Sequence, residues 1–172
     1  MRLHLGIAAT VIAALSLVGC AATPVEPTPT ATAKATPTPT PTPMEAAPLT
    51  GEEFVAGTLS HGAFMAKIDN HPDARPQFGL NKTDIVFEEL VEGGLSRYVA
   101  IWQSEVPDRI GPVRSIRPMD PDIASPFKGI IAYSGGKLKF IYMMRETQVE
   151  NFMHGLAKTA KYMYRTDQRE AP

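Results

Sequence analysis

Residues 84–103 read DIVFEELVEGGLSRYVAIWQ, and this stretch determines the class of fold that we expect. Two runs rich in apolar, β-branched and aromatic residues, 84–91 and 95–103, flank Glu92-Gly93-Gly94. Paired glycines adopt the positive φ angles that tight turns need. The stretch therefore predicts an antiparallel β-hairpin.

The segments on either side of the hairpin carry further strand and helix patterns. Residues 64–68 predict a short strand that runs into a polar turn at residues 69–72, and residues 80–83 predict one helical turn. Residues 110–116 predict another strand, in which Pro112 must lie at an edge or at the start.

The remaining chain alternates helix and strand patterns. Asp120-Pro121 predicts the start of a short helix, which Pro126 and Gly129 close. From residue 130 we expect, in order, a buried strand, a Ser134-Gly135-Gly136 turn, two helices and the start of a last strand, at 130–133, 134–136, 137–147, 148–157 and 162–164. Together these elements predict an α/β domain, a mixed sheet with an antiparallel hairpin flanked by helices, in two or three layers.

The N-terminal residues 1–19 have the pattern of an export signal. Arg2 precedes an apolar stretch at residues 5–18 that is too short to span a bilayer comfortably. It ends in Leu17-Val18-Gly19-Cys20, which resembles the bacterial lipobox, where the cysteine thiol is lipidated and the cysteine becomes the new N-terminus. The alternative is an ordinary signal peptide that ends near a cysteine. We expect a lipid on Cys20 to anchor the protein to the extracytoplasmic face of the membrane.

Residues 20–50 have the composition of a disordered linker. Residues 21–48 contain 8 Pro, 8 Thr and 7 Ala, so this segment cannot bury apolar area and favours polyproline II. We expect a stalk that lifts residues 51–172, the folded domain, away from the membrane. The chain ends at Glu170-Ala171-Pro172 without a finished helix or a charged tail, so we expect the domain to be incomplete at its C-terminus.

Charge and cysteine content exclude several classes of function. There are 17 Lys plus Arg and 18 Asp plus Glu, a balance that argues against a polybasic nucleic-acid binder. The single cysteine excludes an intrachain disulfide and a cysteine-based zinc cage, and we expect no metal and no cofactor. Residues 110–172 carry ten bases and six acids, which favours an anionic partner there, unless the two halves of the domain pair with each other.

Several motifs follow one another in a recognisable order, at residues 68–77, 79–80, 84–88, 91–94, 97, 110–118, 120–122 and 133–136. Together they resemble the YerB-like envelope lipoproteins of Gram-positive bacteria, whose N-terminal domain is catalogued as a domain of unknown function. The resemblance covers nearly all of residues 64–172 and implies an extracytoplasmic lipoprotein with more chain after Ala171-Pro172. It implies no established reaction.

Three arginines form the candidate ligand site. Arg114, Ser115 and Arg117 lie in one short segment between two prolines, and Arg97 comes from the predicted hairpin. Guanidinium groups bind phosphates and carboxylates in a bidentate manner, which favours an anion site. The alternative is that each arginine pairs with an acidic residue. The acids available for such pairs are Asp69, Glu88, Asp120 and Asp122.

Three further features each allow two interpretations. Gly135 and Gly136 before a helix either present backbone N–H groups to a phosphate or form a tight turn. Asp69-Asn70-His71 offers either acid–base chemistry or an Asx turn. Residues 115–120, with Arg117-Pro118 and Asp120, are similar to the Ser-Ile-Pro-Arg-Asp stretch of LytR-CpsA-Psr transferases, although the order of Pro and Arg differs.

These observations lead to two functional hypotheses and a third, plainer one. The first is a lipid-tethered binding domain that captures an anionic cell-wall polymer or an envelope protein. The second is an envelope enzyme acting on a phosphorylated polymer, with Asp69 or Asp120 binding a metal or acting as base. The third is a structural or assembly module. The sequence shows no recognisable catalytic nucleophile–base pair.

Overall fold

The computed structural model describes residues 40–166, and the predicted signal peptide, Cys20 and residues 21–39 lie outside this range. A small antiparallel pair, β1 and β2, precedes a five-stranded mixed sheet in the order β4-β5-β3-β6-β7. The strands are β1 Met44–Ala46, β2 Glu53–Val55, β3 Phe64–Asp69, β4 Ile85–Leu90, β5 Ser96–Trp102, β6 Ile130–Tyr133 and β7 Glu150–Met153. The helices are α1 Asp120–Ala124 and α2 Leu138–Arg145.

The predicted hairpin is confirmed as β4 and β5. Their antiparallel register runs from Ile85 opposite Ile101 to Leu90 opposite Ser96. Gly93, with a φ of 72°, lies in the turn between them. β3 pairs with β5 on one side in antiparallel fashion and with β6 on the other side in parallel fashion, so it is the centre of the sheet.

The two faces of the sheet have different covers. On one face, here called the helix face, Met65, Val99 and Ile131 pack with residues of α1 and α2. On the opposite face, Ala66, Ala100 and Trp102 are buried mainly beneath loop residues. Both α-helices of residues 40–166 therefore lie on one side of the mixed sheet.

The segment at residues 112–117, here called the inserted segment, lies at the open end of the sheet. The β3–β6 ladder stops at Ala66 opposite Ala132. Beyond that point the Arg114 N–H donates to the Lys67 carbonyl (2.8 Å), and the Ser134 N–H donates to the Arg114 carbonyl (3.0 Å). The predicted strand at residues 110–116 is therefore wrong as a regular strand, because its backbone bonds are isolated bridges to two different neighbours.

The C-terminal part of the prediction needs two corrections. Residues 148–157 were expected to be helical, but β7 occupies Glu150–Met153 because it pairs in parallel with β6. The expected strand at residues 162–164 is wrong, since the Tyr162 and Met163 N–H groups both bond to the Thr159 carbonyl in a turn. The expected strand at 130–133 is confirmed, and the helix at 137–147 is confirmed as α2.

The start of the folded region also differs from the expectation. Residues 20–50 were expected to be a disordered linker, yet β1 pairs with β2 and Ala47 is buried. The folded part therefore begins before residue 51. None of the helices between residues 40 and 166 has the length and apolarity that a membrane span requires.

Gly129 should be far less tolerant of substitution than Gly93. Both have positive φ, but a Cβ at Gly129 would lie 2.0 Å from the Ala63 carbonyl oxygen, whereas one at Gly93 meets nothing within 4 Å. We expect Gly93→Ala to cost about 1 kcal/mol, from backbone strain alone. Gly129→Ala should cost more than about 3 kcal/mol in urea unfolding, because β3 and β6 must separate. Equal costs would contradict this close approach.

Candidate functional site

A buried cluster of three charged side chains lies on the helix face. Lys67, in the middle of the central strand, is fully buried. Its Nζ lies 2.7 Å from Glu89 Oε2 on β4 and 2.8 Å from Asp120 Oδ1 at the start of α1. Buried charges are tolerated when they are paired in this way. The cluster therefore ties β3, β4 and α1 together.

The cluster holds one base and two acids, and this imbalance affects the pKa of Glu89. Burial raises the pKa of Glu89 to about 7, against the lowering effect of Lys67 and with help from the nearby Asp120 carboxylate. Glu89 Oε1 is buried and has no hydrogen-bond partner among the described residues. A proton on Glu89 would leave one positive and one negative charge in the cluster.

Lys67 also fixes both ends of the arginine-bearing stretch of the inserted segment. Its main-chain carbonyl accepts the Arg114 N–H at 2.8 Å. Its ammonium group holds Asp120, whose second oxygen accepts the Arg117 N–H at 2.5 Å. The predicted helix start at Asp120-Pro121 is confirmed, with Met119 as the N-cap residue and the Asp120 carboxylate facing Lys67. Asp120 is fully buried, so it is not open to a ligand.

The three predicted arginines come together around the inserted segment. Arg114 Nε donates to Asp69 Oδ2 at 2.6 Å, and the Arg114 side chain is half exposed. Burial alone would raise the pKa of Asp69, but the hydrogen bond and charge of Arg114 hold that pKa below its usual range. Asp69 is therefore an ionised partner of Arg114.

Arg117 is almost fully engaged within the protein. Its Nε and NH2 groups bind Glu92 Oε2 at 2.8 and 2.7 Å, and its NH1 group donates to the Ile116 carbonyl at 3.0 Å. The Ser115 carbonyl is a further, longer acceptor at 3.4 Å. Arg117 thus positions the inserted segment and contributes charge, but it has few donors left for a ligand.

Arg97 has donors to spare. It lies on β5, directly opposite Asp69 on one side and Glu89 on the other. Its NH1 group donates to the Ser115 carbonyl at 2.8 Å, which is the one side-chain hydrogen bond of Arg97 within residues 40–166. Burial, followed by the charge of Arg117, lowers the pKa of Arg97. Arg97 and Arg114 are therefore the arginines with N–H groups available to an anion.

Gly135 and Gly136 pack against the inserted segment, which does not favour the phosphate-binding interpretation. The Gly135 carbonyl accepts the Ile116 N–H at 3.0 Å. A Cβ at Gly136 would lie 2.9 Å from Ile116 Cγ1, so this position must be small for the inserted segment to fit. The geometry favours the tight-turn interpretation for both glycines.

The Asp69-Asn70-His71 stretch likewise forms a turn. The His71 N–H donates to Asp69 Oδ1 at 3.3 Å, as an Asx turn requires. Among the acids proposed as arginine partners, Asp69 alone binds an arginine side chain in the described residues, whereas Asp120 accepts only the main-chain N–H of Arg117. Glu88 instead accepts bonds from Ser96 and Asn70. No group of three or more potential metal ligands occurs in the part of the chain that the structure describes.

Sequence reasoning missed Lys67, Glu89 and Glu92. The alternation of apolar and polar residues in the strands contains a weak signal for Lys67 and Glu89. Lys67 interrupts an apolar strand run, and Glu89 is in phase with Ile85 and Phe87, which face the helix side. A charge in phase with buried residues indicates a buried pair.

Comparisons with known proteins agree with this fold. A family model described as "Protein of unknown function (DUF3048) N-terminal domain" matches residues 49–172. The "Putative lipoprotein YerB" of Bacillus subtilis (strain 168) is 36% identical over 129 residues, 73% of this chain. A crystal structure of the Bacillus subtilis YerB protein is similar with a TM-score of 0.59 and 34% identity, over 63% of this chain. The chain spans 38% of the length of each of these relatives.

Replacing Glu89 should change how stability depends on pH. The pKa of Glu89 is about 7 in the folded protein and 4.5 ordinarily, so the folded state holds its proton more tightly. Stability from this group is therefore present below about pH 4.5 and is lost as pH rises towards about 7, by up to about 3 kcal/mol. In urea unfolding, Glu89→Gln should lack this loss, whereas Asp122→Asn, an exposed acid on α1, should keep it. Parallel pH curves for wild type and Glu89→Gln would refute the raised proton affinity.

Proposed function

The chain belongs to the family described as DUF3048, and on that premise we propose that it is a lipid-anchored envelope protein whose domain binds a phosphate-bearing anionic polymer. The observation that carries the binding proposal is the pair of arginines, Arg97 and Arg114, with N–H donors that the described residues leave available.

The anchor is proposed from the N-terminal pattern and from the relative's name. A diacylated Cys20 would supply two acyl chains, enough for stable attachment at the extracytoplasmic face of the membrane. Residues 21–43 precede β1, and their proline content would let them reach about 70 Å at about 3.1 Å per residue. The domain would then meet wall polymers at some distance from the bilayer.

Electrostatics support an anion at the arginine pair. Arg97 sits near the like charges of Arg117 and Arg114, and the carboxylates of Asp69 and Glu92, which offset part of this repulsion, are already paired with those two arginines. Like charges held together in this way repel, and an anion between them would relieve the repulsion. The planar guanidinium fork matches phosphate oxygens in a bidentate manner.

The contacts give the enzymatic alternative less support. A LytR-CpsA-Psr-like reaction was expected to use Asp69 or Asp120 as base or metal ligand. Asp120 is fully buried on Lys67, and Asp69 holds Arg114, so both carboxylates orient positive groups. A positioning role for the two acids fits the binding hypothesis, because they fix the arginines before a ligand arrives.

Arginine substitutions test the binding proposal. We expect isothermal titration of the full-length protein with a glycerol phosphate oligomer to show binding by wild type. Arg97→Ala and Arg114→Ala should each weaken it by tenfold or more, since a charge-assisted hydrogen bond contributes about 1.5–3 kcal/mol. A parallel titration with polyprenyl pyrophosphate distinguishes a lipid-linked precursor from a finished polymer.

The matched control is Arg145→Ala. Arg145 is exposed at the C-terminal end of α2, whereas the opposite end of this helix follows Gly136, which packs against the inserted segment, and the loss of Arg145 removes the same charge from the protein. Its affinity should stay within about twofold of wild type, because only long-range attraction is lost. Wild-type affinity in both Arg97→Ala and Arg114→Ala, or equal weakening by Arg145→Ala, would contradict an anion site at the arginine pair.

A further inference from the structure

We propose that Glu89 is a proton-binding residue of the arginine site, so that an anion bound at Arg97 and Arg114 draws a proton from solution onto this buried carboxyl group. The inference rests on the proposed function and names how that site is regulated. It follows from the position, the burial and the incomplete bonding of Glu89.

Glu89 lies beside Arg97 in the sheet. Glu89 and Arg97 are direct partners in the antiparallel β4–β5 ladder. Their side chains therefore lie on the same face of the sheet, with Cβ atoms about 5 Å apart. Arg97 has Asp69 as its partner on the other strand, so a row of acid, arginine and acid crosses the sheet beneath the inserted segment. The Glu89 carboxylate, whose own charged partners are Lys67 and Asp120, is thus near enough to Arg97 for its charge to oppose an anion bound there.

The two carboxylates that share Lys67 differ in their hydrogen bonds. Asp120 receives the Lys67 ammonium on one oxygen and the Arg117 N–H on the other. Glu89 receives only Lys67, and its Oε1 is buried without a partner in the described residues. Of the two acids that share one lysine, Glu89 is therefore the one on which a proton costs least. The pKa of Glu89, raised by burial to about 7, agrees with that choice.

Anion binding at the arginines and protonation of Glu89 are coupled. An anion near Arg97 and an ionised Glu89 repel each other, so protonation of Glu89 favours the anion. The coupling is reciprocal, and the anion must favour protonation of Glu89 to the same extent. Binding through this site then strengthens as pH falls. The charged groups on the elements around Glu89 are Lys67, Asp69, Glu92, Arg97, Arg114, Arg117 and Asp120.

The test is titration calorimetry of the full-length protein with a glycerol phosphate oligomer. Its phosphodiester groups keep a constant charge across the range used, so the ligand contributes no titration of its own. Wild-type affinity should fall about tenfold between about pH 6 and about pH 8.5, as expected for one added charge near the ligand. Two buffers of different ionisation enthalpy, compared near pH 7.5, should reveal net proton uptake on binding.

Glu89→Gln carries the neutral form permanently and is the decisive variant. It should bind at about pH 8.5 as tightly as wild type does at about pH 6, without proton uptake. Asp122→Asn should behave as wild type, because Asp122 is exposed and lies outside the buried cluster. Proton uptake that persists in Glu89→Gln would assign the coupling to another group and overturn the inference.

Two further outcomes keep the inference separate from the proposed function. Wild-type binding with equal affinity at both pH values and no proton uptake would overturn the coupling while leaving the anion site intact. No binding at either pH would remove the anion site itself. If Glu89→Gln fails to fold, carbon-13 NMR of the Glu89 carboxyl group in wild type decides: its titration midpoint must rise when the oligomer is added, and an unchanged midpoint overturns the proposal.

Discussion

The ammonium group of Lys67, enclosed between Glu89 and Asp120, is the interaction on which the rest of this structure depends. Removing one member of a buried charge cluster leaves the others uncompensated, at a cost of about 3–5 kcal/mol, so the three groups act as a unit. Through this unit the central strand is joined to an edge strand of the sheet and to the start of α1. The cluster thus connects these elements and also lies directly beneath the candidate site.

The opening between β3 and β6 explains why the site lies where it does. The parallel ladder ends at Ala66, and the inserted segment fills the gap with backbone bonds to both sides. That placement brings Arg114 and Arg117 beside Arg97, although Arg97 comes from a different part of the chain. Ligands in open α/β sheets bind at the carboxyl ends of strands where neighbouring strands part, and the arginines lie at such a point.

The sequence predicted what local pattern encodes and missed what depends on distant partners. The β4–β5 hairpin and α2 follow from turn glycines and from apolar periodicity within one stretch, and both were predictable. β7 was mistaken for a helix because only its parallel partner β6 makes it a strand. The arginines were recognisable from chemistry alone. Their partners were not, because Lys67 lies 22 residues from Glu89 and 53 residues from Asp120.

Amide hydrogen exchange at Arg117 tests most directly whether the buried cluster holds the arginine-bearing segment in place. In Asp120→Ala the Arg117 N–H loses its acceptor and Lys67 loses one of its two partners. We expect this amide to exchange at least tenfold faster than in wild type, since a hydrogen bond to a charged group contributes about 1.5–3 kcal/mol. In Asp120→Ala, the exchange rates of amides in the β5 ladder should change only as far as the global stability changes. The control variant Asp122→Ala should leave the exchange rate of the Arg117 amide unchanged. Wild-type protection of the Arg117 amide in Asp120→Ala would show that the buried cluster does not hold the arginine-bearing segment in place.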